Sequence, residues 1–374
     1  MPIAIQPYTE EWTPAVEAFN QRLSEGGVAP EFHFPDNHVP QWLPKVEGHR
    51  IYQEYFLATD GEAVRGGYIV KFQDFSFFGE RRQGEMRRIG FYRLPLSEGI
   101  VNKTYATVGV HLLRHAVKFQ PLLFALGMGG FENPLPQMLK AMGWSLQAVP
   151  FHFLVAHPVK FLRNIAPLRQ LRSRRLAADM AAFTGVGWLG IHAVQRIRSL
   201  DGRREITAEP VASFGEWADE VWRDCLSSYA LLACRDRDNL NILYPGEKFI
   251  RLKVHRGDQV LGWATLLDTQ MHDNKYFGNL RLGSIADCLA RPENAAAVIQ
   301  AATDFLLGQG VDLIVSNQTH TAWNSALAKN GFFSGPSNFV FAAGKPLVAL
   351  LDPLTSVFSQ MHVNRGDGDG PVNL

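Results

Sequence analysis

Three polar residues stand near the ends of central strands predicted for the second half of the chain: Asp287, Asn317 and His320. Histidine ionises close to neutral pH, so His320 is a candidate general base. A histidine that caps a helix or packs in the core is the alternative interpretation. Asp287 has a similar alternative, because aspartate often caps a following helix. These residue types predict proton-transfer chemistry at the strand ends.

The cysteines give no sign of nucleophilic or metal chemistry. Cys288 has no visible partner that would activate it, so a buried thiol is the better interpretation. The three cysteines, at 225, 234 and 288, lack metal-ligand spacing, and no metal site is predicted. Their odd number is typical of a reducing cytoplasm. Walker, HExxH and GxSxG motifs are also missing from the sequence.

The candidate residues of the second half belong to a predicted strand–helix–strand unit. Asp312–Ser316 is a short apolar run that indicates a buried strand. A helix follows over Ala322–Lys329, and Thr319 or Thr321 is its expected cap. Ser337–Ala343 then has the pattern of a second strand. This unit would place the polar residues between the first strand and the helix.

The same unit occurs once before in the chain. Leu123–Gly129 is the earlier strand, Pro134–Met142 the helix and Phe151–Ala156 the second strand. A predicted hairpin is also repeated, because Glu54–Tyr68 aligns without a gap on Phe249–Trp263. Two repeated blocks in the same order indicate an internal duplication.

Length and composition describe an ordinary globular protein of several domains. The chain has 374 residues, of which 46% are hydrophobic and 20% charged, and a formal net charge of +1. This balance gives no sign of a nucleic-acid partner. We predict an N-terminal domain over 1–160, a helical linker over 161–204, a C-terminal domain over 205–350 and a tail over 351–374.

The linker and the tail each allow two interpretations. Residues 160–204 are basic except for the uncharged stretch Met180–Val194, which is too short to span a bilayer. They are either a connection that packs between domains or an amphipathic element on an anionic membrane surface. The tail NRGDGDGPVNL is expected to be an exposed end, because ordering so much glycine costs entropy. An aspartate-lined contact with a cation or a substrate is the alternative.

The expected location is the cytoplasm. The N-terminal residues MPIAIQPYTEEW lack the basic and apolar regions of a signal peptide. If the basic linker does contact a membrane, the protein would be peripheral at its inner face.

Each half is predicted to run strand, helix, long loop, hairpin, strand, loop, helix, strand, helix, strand. This order resembles the GCN5-related N-acetyltransferase (GNAT) family in a tandem form. The resemblance rests on the two hairpins, YFLATDGEAVRGGYIV and FIRLKVHRGDQVLGWATLL, and on a glycine-aromatic stop after the last helix in KAMGW and AKNGF. It implies an α/β (α+β) fold with two tandem domains, each a mixed twisted sheet flanked by helices.

The resemblance also implies an acyl-CoA site between two splayed central strands, with the pyrophosphate on backbone amides at a helix N-terminus. The loop Ser97–Gly109 of the first half stands at this place. Its flexible backbone, positive charge and hydroxyl groups suit a phosphate, and they come from Gly99, Lys103, Thr104, Thr107 and Gly109. An ordinary loop before a helix is the alternative.

Family members often use a tyrosine on the last helix as the acid. The corresponding positions here are Leu139 and Leu327, so Asp287, Asn317 and His320 are the candidates for proton transfer. The implied function is transfer of an acyl group, acetyl in the first instance, from CoA to an amine. An amino sugar or an aminoacyl group in surface-polysaccharide or cell-wall precursor synthesis would be the acceptor. The alternative is a binding or scaffold protein that keeps the fold without catalysis.

Overall fold

The computed structural model describes residues 3–79, 82–164 and 206–369. These residues form two mixed β-sheets flanked by helices, which confirms the predicted fold class. They divide into two compact units. Unit 1 consists of the described residues in 1–75, 86–148 and 338–355, and unit 2 of those in 76–85, 149–337 and 356–374. Residues 165–205, most of the predicted linker with its membrane contact, lie outside the described residues.

The helices and strands have the following bounds. The strands are β1 (Ala4–Pro7), β2 (Tyr52–Asp60), β3 (Ala63–Gly79), β4 (Arg82–Ser97), β5 (Leu123–Gly127), β6 (Ser145–Ala148), β7 (Phe151–Val155), β8 (Thr207–Val211), β9 (Leu231–Ala233), β10 (Ile250–Arg256), β11 (Gln259–Gln270), β12 (Arg281–Ala290), β13 (Leu313–Asn317), β14 (Phe333–Gly335) and β15 (Val340–Ala343). The helices are α1 (Thr13–Glu25), α2 (Val108–Phe119), α3 (Pro134–Ala141), α4 (Pro158–Asn164), α5 (Glu216–Cys225), α6 (Arg237–Leu243), α7 (Ala295–Gly308), α8 (Thr321–Lys329), α9 (Lys345–Leu350) and α10 (Leu354–Val357).

The sheet of unit 1 has the order β1-β2-β3-β4-β5-β15-β6. The predicted β2–β3 hairpin is confirmed, with Asp60 opposite Ala63 and Gly61 at a φ of 61°. Apolar residues of α1 pack in one hydrophobic core cluster with Ile69. Those of α2 and α3 pack in a second core cluster with Val70. Because adjacent strand residues point to opposite faces, helices cover both faces of the sheet.

The sheet of unit 2 has the order β14-β7-β13-β12-β11-β10-β8. The second predicted hairpin is also confirmed, with Arg256 opposite Gln259 and Gly257 at a φ of 55°. In both sheets the central pair is parallel, β4–β5 in unit 1 and β12–β13 in unit 2. The parallel pair gives both sheets their mixed character.

The closing strand of each half lies in the sheet of the other half. Phe151–Val155 pairs antiparallel with Leu313–Asn317, although its place in the sequence suggested that it closes the first domain. Val340–Ala343 pairs antiparallel with both β5 and β6. Both strands are short and apolar, and their hydrogen-bonding edges suit either sheet, so sequence order alone did not decide the pairing.

Because of this exchange, we predict that neither half folds alone. The fragment 1–175 lacks β15, so β5 and β6 would each present an unpaired edge, which in β5 is apolar. We expect fragments 1–175 and 176–374 to aggregate when expressed separately and to form a soluble complex when co-expressed. Gel filtration and circular dichroism would measure this. A monodisperse, cooperatively unfolding N-terminal fragment would contradict it.

Candidate functional site

The parallel strands of unit 1 separate after two aligned pairs. The pairs are Gly90–Leu123 and Phe91–Phe124, and the two phenylalanine rings stack with their centroids 5.2 Å apart. Beyond them, the described residues of β4 and β5 are not paired with each other, although β4 continues to Ser97. We call the region between the unpaired carboxyl ends of β4 and β5 the strand opening of unit 1.

The loop that follows β4 is held by a buried carboxylate. Glu98 is 3% exposed, and its oxygens accept hydrogen bonds from Arg65 (Nη1–Oε1, 3.0 Å) and Arg22 (Nη2–Oε2, 3.1 Å). The guanidinium of Arg65 also lies over the ring of Tyr105, 4.3 Å from its centroid. These contacts fix the start of the loop to α1 and β3, so it is less free than its sequence suggested.

The predicted phosphate-binding residues lie along this loop and the start of α2. Gly99 packs so closely that a Cβ there would come within 2.6 Å of a backbone oxygen, and its amide donates to Ser97 Oγ. Lys103, Thr104 and Thr107 are exposed, and Gly109 lies in the first turn of α2. The first amides of a helix have no partner inside it and carry partial positive charge. Lys103, the hydroxyls of Thr104 and Thr107 and the N-terminus of α2 therefore belong to one continuous stretch of chain. Phosphate binding by this stretch stays a prediction.

A run of left-handed residues follows β5 on the other side of the strand opening. Gly127, Met128, Gly129 and Gly130 have φ values of 93°, 63°, 72° and 117°. Glycine adopts such angles without steric cost, and the turn is held by Asn133 Nδ2, which donates to the carbonyl of Met128 at 2.8 Å. Three of these four positions carry no side chain, and side chains of the chain itself lie beside them: a Cβ at Gly129 would come within 2.6 Å of Asn133 Nδ2, and one at Gly127 within 3.5 Å of Phe339.

The parallel strands of unit 2 separate in the same way, but the chain itself enters the space between them. β12 and β13 align over three pairs, from Leu282–Leu313 to Ser284–Val315. Beyond these pairs, Met361–Gly368 lies against both strands. Its Asn364 donates to Asp287 (Nδ2–Oδ1, 2.8 Å) and its Arg365 to Asn317 (Nε–Oδ1, 2.9 Å). We call Met361–Gly368 the inserted segment.

The inserted segment brings an aspartate to a buried ion cluster. Arg235 contacts Asp287 (Nε–Oδ2, 2.7 Å) and Asp367 (Nη2–Oδ1, 2.6 Å), and all three side chains are fully buried. Tyr244 donates to Asp287 at 2.5 Å. Burial, and then the charge of Asp287, hold the pKa of Tyr244 well above its usual range, so the phenol remains a donor.

The expectation of an exposed C-terminal end is therefore wrong for residues up to Asp369. Asn364, Gly366 and Asp367 are buried, because Asn364 donates to Asp287, Asp367 pairs with Arg235 and the amide of Gly366 donates to Asn364 Oδ1. The alternative was an aspartate in contact with a cation. In the structure Asp367 does contact a positive group, the guanidinium of Arg235.

The three predicted catalytic residues each have structural partners. Asp287 is fully buried and also accepts from the amide of Cys288, while Asn317 is 1% exposed. His320, in place of the two threonines expected, is the cap of α8: its Nδ1 accepts from the amide of Ala322 at 3.1 Å. Neutral His320 then carries its proton on Nε2 and has no free lone pair for a base. Their catalytic roles stay predictions.

Several residues of these two sites were missed from the sequence. Arg235, Tyr244 and the pairing of Glu98 with two arginines had not been singled out. Arg235 lies two residues after the end of the buried strand β9, and a charged residue so close to an apolar strand was the available signal. The expectation of a buried thiol at Cys288 is confirmed, and Gln318 Nε2 donates to its sulfur at 3.4 Å.

Comparison with solved structures identifies the fold. N-myristoyltransferase of Saccharomyces cerevisiae with bound myristoyl-CoA and inhibitors aligns with a TM-score of 0.51 at 10% identity, over 92% of this chain and 80% of that chain. The same enzyme with bound myristoyl-CoA gives 0.50 at 10% identity, over 92% and 78%. A tandem GNAT protein from the clavulanic acid biosynthesis pathway gives 0.45 at 12% identity, over 91% and 98%. No family model and no curated protein matches the sequence.

The chain shares its fold with this N-myristoyltransferase. At these identities the likeness establishes the fold, and the reaction must be argued from the site. Among the described residues, no cluster of three histidine, cysteine or acidic side chains is placed to hold a metal. Among the helices described, none is long and apolar enough to cross a membrane.

Replacing Arg235 tests the ion cluster. Arg235→Met leaves two buried carboxylates without their cation, and we expect it to lower the unfolding free energy of unit 2 by about 3–5 kcal/mol. The matched control is Arg237→Met, because Arg237 forms only surface ion pairs and should lose less than about 1 kcal/mol. Urea denaturation would measure both, and equal losses would contradict a special role for the buried arginine.

Replacing His320 tests the effect of pH. Burial, and then the nearby His362, lower the pKa of His320 to about 4, below its unfolded value of about 6.5. The unfolded chain then binds the proton more strongly, so this contribution is present above pH 6.5 and is lost as the pH falls towards 4. We expect His320→Asn, which can still cap α8, to reduce the stability loss between pH 7 and 5. Denaturation curves of both proteins at the two pH values would measure it, and unchanged pH dependence would contradict the assignment.

Proposed function

We propose that the chain is an N-acyltransferase that binds acyl-CoA in the strand opening of unit 1 and transfers the acyl group to an amine. The observation that carries this proposal is the difference between the two openings. In unit 2 the space between the parallel strands holds the inserted segment. In unit 1, β3 and β5 are the sheet neighbours of β4, and β4 is unpaired with β5 beyond Phe91. One acyl-CoA per chain is the expected stoichiometry.

The loop before α2 supplies the phosphate contacts in this proposal. The pyrophosphate would accept hydrogen bonds from the first amides of α2 and from Lys103, Thr104 and Thr107. The fixed position of Glu98 orients this loop before any ligand arrives.

The reaction needs few groups from the protein. A neutral amine attacks the thioester carbonyl, the carbon–sulfur bond breaks and its electron pair leaves with the sulfur as thiolate. An acetyl donor and an amino sugar or aminoacyl acceptor in surface-polysaccharide or cell-wall precursor synthesis are part of this proposal. So is a cytoplasmic location, which is supported by three cysteines that are all free and buried.

A binding or scaffold protein without catalysis is the second candidate. One observation favours it: Leu139 and Leu327, at the two positions where a tyrosine acid would stand, are fully buried core residues. Membrane association through residues 160–204 belongs to this candidate. Binding of acyl-CoA without turnover of any amine would favour it over the enzyme.

Calorimetric titration with acetyl-CoA tests the proposal. We expect binding at one site per chain, and Lys103→Ala should weaken it roughly tenfold through loss of a charge-assisted contact. The matched control is Lys118→Ala, because Lys118 is exposed in the last turn of the same helix and should have no effect.

Two results would count against it. Lack of binding at millimolar acetyl-CoA would remove CoA-dependent catalysis. Equal losses in the two lysine variants would show that the phosphates do not lie at the start of α2.

A further inference from the structure

A serine, a histidine and an asparagine of unit 2 form a hydrogen-bonded chain. Ser334 Oγ lies 3.4 Å from Nδ1 of His152, and Nε2 of the same ring lies 2.9 Å from Asn324 Oδ1. Ser334 is exposed and Asn324 half-buried, whereas His152 is 4% exposed. These residues all belong to unit 2, so they are separate from the strand opening of unit 1.

Three elements bring the side chains together. His152 on β7 is directly opposite Ser334 on β14, so the two side chains project from the same face of the sheet. Asn324 lies in α8. The first half of the chain contributes β7 to this sheet, so the contact between histidine and serine depends on the strand exchange. β14 is at the edge of the sheet, which leaves the Ser334 hydroxyl accessible from solvent.

The hydrogen bonds define the tautomer of His152. Asn324 Nδ2 donates to the carbonyl of Thr319 at 3.2 Å, so Oδ1 of the same amide is the atom that contacts His152. An amide oxygen can only accept, and His152 Nε2 therefore carries the proton. Nδ1 keeps its lone pair and accepts from the Ser334 hydroxyl. Burial lowers the pKa of His152, so the ring is neutral at pH 7.

We propose that Ser334 is an acylation site, with His152 as its general base and Asn324 as the residue that orients the ring. An exposed hydroxyl, a base in contact with it and a third group behind the base are the arrangement that activates a serine nucleophile. A separation of 3.4 Å is common in such pairs before a substrate binds. The reagent is an activated acyl group, in an ester or a thioester.

The reaction balances without a further reactant. His152 Nδ1 takes the hydroxyl proton while Ser334 Oγ bonds to the carbonyl carbon of the acyl group. The bond from that carbon to the leaving oxygen or sulfur then breaks, and its electron pair goes to the leaving atom. The proton on Nδ1 passes to the leaving atom. The products are an acyl-serine, an alcohol or thiol, and neutral His152.

Reaction of the whole chain with p-nitrophenyl acetate tests the proposal. We expect an initial burst of one equivalent of p-nitrophenolate and one acetyl group per chain, located on Ser334 by peptide mass spectrometry. Ser334→Ala should abolish both. Ser24→Ala is the matched control, because Ser24 Oγ also contacts a histidine, His33 Nε2 at 3.0 Å, but no side chain of the described residues bonds the other nitrogen of that ring. It should keep the full burst.

Two further positions test the roles of the partners. His152→Gln should slow the acylation by about a hundredfold, because the general base is lost. Asn324→Leu should also slow it, whereas Asn324→Asp should keep the rate, because a carboxylate still accepts from Nε2. If Asn324 only served packing or its bond to Thr319, both of its variants would behave alike, and its orienting role would be overturned.

Ser334→Ala decides the proposal even if a His152 variant fails to fold, because Ser334 is exposed and circular dichroism can check that the variant is folded. An unacylated Ser334 in the wild type, or an unchanged burst in Ser334→Ala, would overturn the inference. Either result would leave the proposed function of unit 1 intact.

Discussion

Buried backbone N–H and C=O groups must be hydrogen-bonded. Where two parallel strands of a sheet separate, their backbone groups therefore need other partners. β12 and β13 part after Ser284–Val315, and the inserted segment satisfies the groups beyond. There the amide of Thr319 donates to the carbonyl of Val363 at 3.1 Å. β4 and β5 part after Phe91–Phe124, and no strand of the described residues pairs between them. The same geometry thus yields a closed core in one unit and a candidate ligand site in the other.

The ion cluster of unit 2 shows how a charged segment can become core. Burying Arg235, Asp287 and Asp367 removes three ions from water, which is unfavourable unless each one is paired and hydrogen-bonded. The amide of Cys288 and the phenol of Tyr244 donate to Asp287, and the amide of Asn364 donates to Asp367, whereas Arg235 Nη1 has no partner among the described residues. If the inserted segment were displaced, Arg235 would lose its ion pair with Asp367. The ion cluster therefore favours one position of the inserted segment.

The sequence was sufficient where structure is decided locally. The hairpin turns require a left-handed backbone at Gly61 and Gly257. The sequence pairs Asp60-Gly61 and Gly257-Asp258 are typical of such turns. The order of elements then led to the fold. Burial of the chain end was not predictable, because it depends on Arg235, far along the chain from Asp367. The strand exchange depends on which sheet edge is free, which the sequence does not show. For His320, the structure supports the alternative interpretation of a helix cap.

The exchanged strand β15 has a consequence for synthesis. The sheet of unit 1 is incomplete between β5 and β6 until Val340–Ala343 has been synthesised, which happens only after β7–β14. Until then the apolar strand β5 has an open hydrogen-bonding edge, a condition under which nascent chains aggregate or recruit chaperones. The strand opening of unit 1 therefore reaches its final form only after a strand of the second half has been made.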